Sequence, residues 1–145
     1  MQQRLGQHGV QASLVWSVDE PAGVGLLDVL PARATKFHAV AALIQRLGLS
    51  EQDTVFCGDS GNDIEVLVSA VPAVLVANAQ PEVRAAAISL AEQNGNADRL
   101  YCARGDFAGM NGNYAAGILE GLAHYHPFMA SWSGLAASQE RIGGR

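Results

Sequence analysis

The chain has 145 residues, of which 49% are hydrophobic and 16% charged, and this composition excludes a disordered or collagen-like protein. A formal net charge of -5 argues against a general binder of nucleic acid or of anionic membranes. Two cysteines that stand far apart exclude a disulfide framework or a structural zinc cluster, and the lack of a long apolar run predicts a cytoplasmic protein without membrane spans.

Short apolar runs alternate with segments of helical spacing along most of the chain. We predict strands at residues 12–18, 26–30, 54–57, 73–76 and 100–103. Helices are predicted at residues 36–47, 62–70, 81–92 and 114–125. From about residue 26 onward the strands are continuously apolar and separated by helices, which indicates a Rossmann-like parallel sheet with helices on both faces. The fold class is therefore α/β.

Ligands of such sheets bind beyond the carboxyl ends of the strands. This rule selects three loops for inspection: the one before Lys36, the one after Cys57 and the one after Val76. Cys57 itself lies inside an apolar strand, so we interpret it as a small buried side chain rather than a nucleophile.

The loop after Cys57 carries four polar side chains around glycines, in the sequence Gly-Asp-Ser-Gly-Asn-Asp at residues 58–63. Asp59 and Asp63 are four residues apart, so one helical turn brings both carboxylates to the same side. Two close carboxylates repel each other unless a cation lies beside them, and oxygen ligands in an open site suit Mg²⁺. The alternative is an ordinary capped turn, because Asp, Ser and Asn are common helix caps.

Lys36 is the only lysine among nine basic residues, and the other eight are arginine. If Thr35 caps the following helix, Lys36 lies in its first turn, where the helix dipole disfavours a cation by about 0.3–1 kcal/mol. The position is explained if an anion such as a phosphate is bound beside it, since lysine is a compact charge suited to a phosphate oxygen. The alternative is a solvated surface lysine.

These features together resemble the third and fourth motifs of haloacid dehalogenase superfamily phosphatases, in their sugar-phosphatase branch. The resemblance rests on Leu-Asp-Val-Leu-Pro at residues 27–31, on Lys36 at the start of a helix and on residues 58–63. Residues 76–82 look like the segment that follows in this branch. Residues 114–125 look like the end of bacterial sucrose-phosphate phosphatases, a domain that is also found fused to sucrose-phosphate synthase.

The resemblance implies a role for each residue of the pattern. Asp59 would be the direct Mg²⁺ ligand, and Asp63 the second acidic residue of the metal site, positioning a metal-bound water or the lysine. Lys36 would neutralise the phosphoryl oxygens and the charge of the nucleophile. Asn62 and, beside it, Ser60 would contact the phosphate or the substrate. Phosphoryl transfer requires such positioning and charge compensation.

One motif of the superfamily is missing. Its nucleophile is the first aspartate of an Asp-x-Asp-x-Thr sequence, and no Asp-x-Asp occurs in this chain. Phe37 also stands where the family usually has glycine. We therefore expect residues 1–27 to be the end of a cap domain, residues 28–128 the C-terminal part of the core domain, and residues 129–145 a flexible tail.

The function that the resemblance implies is that of the C-terminal part of a Mg²⁺-dependent phosphatase, inactive alone. Its partner would be a small-molecule sugar phosphate, sucrose 6-phosphate above all or mannosylfructose phosphate as a variant, with no nucleic acid and no membrane. The alternative is a non-catalytic, phosphatase-like appendage that stabilises or regulates a glycosyltransferase, sucrose-phosphate synthase.

Overall fold

The computed structural model describes residues 2–19 and 22–129, so the predicted tail from residue 130 onward lies outside the described residues. Within these described residues the structure has five strands and five α-helices. In order they are α1 (Gln2–Gln7), β1 (Ala12–Asp19), β2 (Val24–Pro31), α2 (Lys36–Leu47), β3 (Phe56–Gly58), α3 (Ile64–Leu67), β4 (Ala73–Leu75), α4 (Pro81–Gln93), β5 (Leu100–Cys102) and α5 (Tyr114–Tyr125). Within these described ranges, no helix is both long and apolar enough to cross a membrane.

The strands form two separate sheets. A three-stranded sheet has the order β3-β4-β5 with both pairs parallel, and it confirms the predicted α/β class. The strand predicted at 26–30 does not belong to it, because β2 pairs antiparallel with β1 in a register that runs from Ala12 opposite Pro31 to Asp19 opposite Val24. The prediction that this strand begins the parallel alternation is wrong. Only four residues separate β1 from β2, and a parallel connection needs a dozen or more.

The hairpin of β1 and β2 continues through Pro31 as one unit. The predicted domain division between residues 27 and 28 therefore falls inside β2. Nearly every residue of β2 is exposed, so this strand has little apolar cover.

The core of the parallel sheet lies mainly between its strands and helices α3 and α4. The buried side chains on this face include Leu67 from α3, Ala73 and Leu75 from β4, and Ala87 and Ala91 from α4. Small residues on α4 let the helix lie close to the sheet, and alternation along β4 sends its other side chains to the opposite face.

Helix α5 covers that opposite face through two glycines. A Cβ atom at Gly121 would overlap the side chain of Val74, and one at Gly117 would overlap Val76 and the carbonyl of Gly112. Glycines one helical turn apart thus allow the helix backbone to rest directly on β4. Helices on both faces confirm the layered arrangement that the sequence predicts.

Helix α2 begins and ends as predicted. The Thr35 hydroxyl accepts a hydrogen bond from the His38 amide at 3.2 Å, and Gly48 takes the left-handed conformation with φ of 64° at the other end. The helix predicted at 62–70 is shorter, since a 3-10 turn at Gly61–Asp63 comes before the four residues of α3. Ser69 then donates its hydroxyl to the Val66 carbonyl just past the end of α3.

Candidate active site

Four of the predicted site residues lie at the carboxyl end of β3, and the fifth lies at the start of α2. Asp59 follows the last residue of β3, Ser60 precedes the 3-10 turn as its N-cap, and Asn62 and Asp63 lie within the turn. The structure brings Lys36 to this turn, with its ammonium nitrogen 2.5 Å from Asp63 Oδ1 and 2.9 Å from Asn62 Oδ1.

Asp63 is the buried centre of the cluster, with only 4% of its surface exposed. Its Oδ1 accepts from Lys36, and its Oδ2 accepts from the amides of Asp59 and Ser60, both at 3.1 Å, and from the Ser60 hydroxyl at 2.9 Å. Burial by itself would raise the pKa of this carboxyl, but the lysine, the hydroxyl and the two amides outweigh it and lower the pKa below its ordinary value. Asp63 is therefore held as a carboxylate.

Gly58 makes room for this carboxylate. A Cβ atom at Gly58 would lie 2.7 Å from both Cγ and Oδ2 of Asp63, closer than any side chain can approach. The glycine at the strand end is thus required by close packing with the carboxylate and not only by the turn.

Lys36 keeps binding capacity for an anion after these contacts. Two of its three N–H donors serve Asp63 and Asn62, and its side chain is 48% exposed. Asn62 Oδ1 accepts from the Lys36 ammonium, which can only donate, so the amide oxygen faces the lysine and the NH₂ group lies on the other side. A solvated lysine without fixed partners, the alternative left open by the sequence, does not describe this arrangement.

Asp59 is half-buried and is the carboxylate that keeps an oxygen for another ligand. Its Oδ2 accepts from the Asn78 side-chain amide at 2.9 Å, while within the described ranges no hydrogen bond reaches Oδ1. Both oxygens of Asp63 are already occupied by donors, so the geometry favours its predicted role of positioning Lys36 over direct metal ligation.

One carboxylate of the site, that of Asp59, is suited to bind a hard cation such as Mg²⁺. Mg²⁺ prefers oxygen ligands and commonly keeps several waters besides one or two carboxylates. No group of three or more His, Cys, Asp or Glu side chains suited to a metal occurs among residues 2–19 and 22–129. If a cation binds here, Asp59 would supply only part of its site, and the rest of the coordination sphere would have to come from water, substrate or groups outside these residues.

A cavity of about 390 Å³ opens between the hairpin and the turn. Asp28 and Leu30 of β2 lie on one side of it, and Lys36, Asn62 and Glu65 lie on the other. Its size is that of a small-molecule site. The hairpin residues beside the cavity were not expected from the sequence, since the pattern of β2 predicts a strand of the parallel sheet.

Two further polar residues were missed by the sequence analysis, and one of them, Asn78, contacts the site. Asn78 contacts Asp59, and Glu120 is a carboxylate with 3% exposure that accepts from the Tyr101 hydroxyl and from the amides of Arg104 and Gly105. Asn78 lies in the loop after Val76, which the strand-end rule had selected for inspection. Glu120 lies among the apolar positions of α5. A single acidic residue in this pattern was the sequence signal that could have indicated a buried carboxylate.

Cys57 is half-buried and not fully buried as predicted, but burial raises the pKa of its thiol to about 11, so the thiol stays protonated at neutral pH and is unsuited to act as a nucleophile. Asp59, two residues further on, carries polar contacts of the site instead, since its amide donates to Asp63 and its carboxylate accepts from Asn78.

A parallel α/β sheet with a strand-end aspartate, a buried second aspartate and a lysine fixed against it defines the architecture of HAD-like hydrolases. The family model described as sucrose-6F-phosphate phosphohydrolase matches residues 1–126. The chain therefore belongs to the sucrose-6F-phosphate phosphohydrolase family of HAD-type phosphatases.

Individual relatives agree with this membership. The chain is 53% identical over 130 residues to a HAD-like hydrolase of Nitrosococcus oceani, covering 90% of this chain and 35% of that protein. It is 32% identical over 117 residues to the mannosylfructose-phosphate phosphatase of Agrobacterium fabrum, covering 80% of this chain and 40% of the relative.

Among solved structures, the sucrose-phosphatase of Synechocystis in complex with sucrose and phosphate matches with a TM-score of 0.62 and 32% identity. The match covers 85% of this chain and 43% of the sucrose-phosphatase. The chain thus spans well under half the length of the relatives it matches.

Proposed function

We propose that this chain supplies the lysine, the acidic residues and the substrate-facing hairpin of a Mg²⁺-dependent sugar-phosphate phosphatase. The observation that carries the proposal is the Lys36 ammonium, held by Asp63 and Asn62 at the carboxyl end of β3 with part of its surface still open. A fixed cation beside a strand-end carboxylate is suited to a phosphoryl group, whose charge spreads over several oxygens.

Each residue has a distinct part in the proposed reaction. Lys36 binds and orients the phosphoryl oxygens, and Asp63 holds the lysine in place from its buried position. The Ser60 hydroxyl and the Asn62 amide line the same turn and are placed to contact phosphate or substrate. Asp59 would hold Mg²⁺, which when bound supplies further neutralisation of phosphoryl charge.

The nucleophile would come from outside this chain. Related phosphatases of the superfamily use the first aspartate of an Asp-x-Asp-x-Thr motif, and this chain contains no Asp-x-Asp. We place the missing strand next to β3, which is one of the two edge strands of the described sheet and is followed directly by Asp59. The hairpin of β1 and β2 would be the end of the cap, and the parallel sheet from β3 onward part of the core.

Sucrose 6-phosphate is the substrate we propose. The family description and the relative that binds sucrose and phosphate support it. Mannosylfructose phosphate is the close variant, supported by the Agrobacterium relative. Both are disaccharide phosphates, and the reaction is taken to occur in the cytoplasm.

A chimeric enzyme tests the proposal. The N-terminal part of the Nitrosococcus relative that this chain does not match would be joined to residues 1–145, and phosphate release from sucrose 6-phosphate and mannosylfructose phosphate would be measured with and without Mg²⁺. We expect Mg²⁺-dependent release from at least one of them. Lys36→Ala and Asp59→Ala should each lower turnover by about two to four orders of magnitude, the range for loss of a charged group that acts on the transition state.

Arg46→Ala, in the last turn of α2, is the matched control because it removes a cation from the same helix far from the turn. It should leave turnover close to that of the parent chimera. A folded chimera that hydrolyses neither substrate, or one whose turnover survives Lys36→Ala, contradicts the proposal.

The second candidate is a non-catalytic appendage of a glycosyltransferase such as sucrose-phosphate synthase. The absence of Asp-x-Asp favours it, since an idle domain needs no nucleophile. The fixed contact between Lys36 and Asp63 favours the enzyme instead. The coding sequence immediately upstream distinguishes them, because an Asp-x-Asp-x-Thr motif after an apolar strand would be expected only for the enzyme.

A further inference from the structure

Asn78 links Asp59 to a second segment of the chain through both ends of its side chain. Its Nδ2 donates to Asp59 Oδ2 at 2.9 Å, and its Oδ1 accepts from the Tyr114 amide at 2.8 Å. The backbone amide can only donate, so it fixes which end of the Asn78 amide group is oxygen. The NH₂ group therefore has to face Asp59.

The Tyr114 end of this link is an unusual backbone position. Tyr114 has a φ of 47°, a conformation that bulky residues rarely adopt, and it begins α5. One residue before Asn78, the Ala77 amide donates to the Gly112 carbonyl at 2.9 Å. Two hydrogen bonds thus tie the loop after β4 to the segment that enters α5, and this gives Asn78 a fixed anchor.

From this geometry we propose that Asn78 is a positioning residue for Asp59. By holding Oδ2 from the side of α5, it fixes the carboxylate plane and leaves Oδ1 directed to the ligand. The inference rests on the proposed function in one respect, that Asp59 binds a cation. Groups that hydrogen-bond a ligating carboxylate orient it, and their loss typically lowers metal affinity by about 10–100-fold.

A purely structural tie is the competing explanation. In that case the contact that matters would be the one to Tyr114, and Asp59 would keep its conformation without Asn78. Two substitutions separate the cases. Asn78→Ala removes both hydrogen bonds, whereas Asn78→Asp keeps an acceptor for the Tyr114 amide but replaces the donor to Asp59 with a carboxylate oxygen.

A matched control exists in the loop after α4. Asn96 is also half-buried, and its Nδ2 donates to the Val68 carbonyl at 3.0 Å, away from the site. Asn96→Ala therefore removes one asparagine side chain and its hydrogen bond without touching Asp59.

The first measurement is the side-chain rotamer of Asp59 in the 145-residue chain, from three-bond scalar couplings in isotope-labelled protein. We expect one rotamer in the parent chain and in Asn96→Ala, and averaging between rotamers in both Asn78→Ala and Asn78→Asp. The φ-dependent coupling of Tyr114 should change in Asn78→Ala and stay in Asn78→Asp. An Asp59 that keeps a single rotamer in both Asn78 variants overturns the proposal.

The second measurement is the affinity for Mn²⁺, used as a paramagnetic probe in place of Mg²⁺. Broadening of the amide signals of residues 58–63 should require about tenfold more Mn²⁺ in Asn78→Ala than in the parent chain, with no change in Asn96→Ala. Equal affinity in the parent chain and Asn78→Ala contradicts the inference.

If the parent chain shows no Mn²⁺ broadening at these residues, the same titration is made on the chimeric enzyme, and the metal role of Asp59 in the proposed function fails if broadening is absent there too. The rotamer of Asp59 then decides the positioning inference by itself, so the two failures can be told apart.

Discussion

At the scale of single residues, the site depends on how closely Gly58 and Asp63 pack. The Asp63 carboxylate fills the space where a Gly58 side chain would begin, and its two oxygens serve four donors. A larger side chain at position 58 would push Asp63 away, and Asp63 holds Lys36. The position of Lys36 therefore depends on the glycine at the end of β3.

Gly58→Ala should therefore displace Asp63 and loosen Lys36. We expect a loss of about 1–3 kcal/mol in the free energy of unfolding, the usual cost of forcing a methyl group into packed space. Denaturant titration measures this loss, and the Lys36 ammonium signal in nitrogen NMR reports the loss of its fixed contact. Gly61→Ala is the control, because no atom lies within 4 Å of its Cβ position. Equal stability of the two variants would contradict the packing argument.

Glu120 is the other buried carboxylate whose surroundings decide its charge. Burial alone would raise its pKa, but the amides of Arg104 and Gly105, the Tyr101 hydroxyl and the charge of Arg104 together lower the pKa below its ordinary value. A carboxyl with a lowered pKa stabilises the folded state fully above its unfolded pKa of about 4.3, and this contribution is lost as pH falls through the lower folded value. Asp63 contributes with the same sign.

Glu120→Gln should lower the free energy of unfolding at pH 7 by about 2 kcal/mol, because hydrogen bonds to a charged acceptor are replaced by weaker ones. It should also flatten the decline in stability below about pH 4.3, the ordinary value for glutamate. Urea unfolding across a pH series measures both effects. Glu92→Gln on the exposed side of α4 is the control, and a similar pH dependence for Glu120→Gln and the parent chain would show that Glu120 is not involved.

At the scale of elements, α5 packs closely on the parallel sheet because two of its residues are glycines without side chains. Gly121 lies against Val74 of β4 and Gly117 against Val76 just after this strand, so the helix backbone takes the place that larger side chains would occupy. The same helix begins at Tyr114, whose amide donates to Asn78. Because Asn78 in turn donates to Asp59, the position of α5 also affects Asp59.

Gly121→Ala should lower the free energy of unfolding by about 1–3 kcal/mol even though alanine favours helix formation, because its Cβ would overlap Val74. Gly6→Ala in α1 is a suitable control, since a Cβ there meets nothing within 4 Å and should stabilise the helix by up to about 1 kcal/mol. Thermal unfolding of the two variants gives the comparison. A gain in stability for both would mean that α5 can shift away from the sheet without cost.

At the scale of the whole molecule, the described part has apolar surface where a further segment of sheet would fit. β3 is one of the two edge strands of the described sheet, and a cavity of about 250 Å³ beside Asp59 is lined by apolar residues that include Val76 and Ile118. Tyr114 at its rim is 69% exposed, and Ile118 and Leu119 of α5 are 38% and 39% exposed. Unpaired strand edges and exposed apolar patches favour association.

The 145-residue chain alone should accordingly self-associate and release no phosphate from sugar phosphates. Sedimentation velocity is expected to show species larger than a monomer, and a phosphate assay with Mg²⁺ should stay at background. A monomer with a sharp cooperative melt would contradict the first expectation. Robust Mg²⁺-dependent hydrolysis by the purified chain would contradict the second.

The sequence alone determined the α/β class, the caps of α2 and the cluster at residues 58–63, because these follow from local spacing and from the backbone preferences of Thr, Pro and Gly. It also indicated Lys36, whose position against the helix dipole implied an anionic neighbour. It misplaced β2, although the four residues between β1 and β2 are too few for a parallel connection.

Only the tertiary structure decided which side chains meet. The contact between Lys36 and Asp63 joins residues 27 positions apart, and that between Asn78 and Tyr114 joins residues 36 positions apart. Such pairs depend on how parallel strands and the helices between them stack, and one-dimensional periodicity contains no information about that stacking. The buried Glu120 shows the same limit, because its partners at Tyr101, Arg104 and Gly105 reach it only after α5 has packed on the sheet.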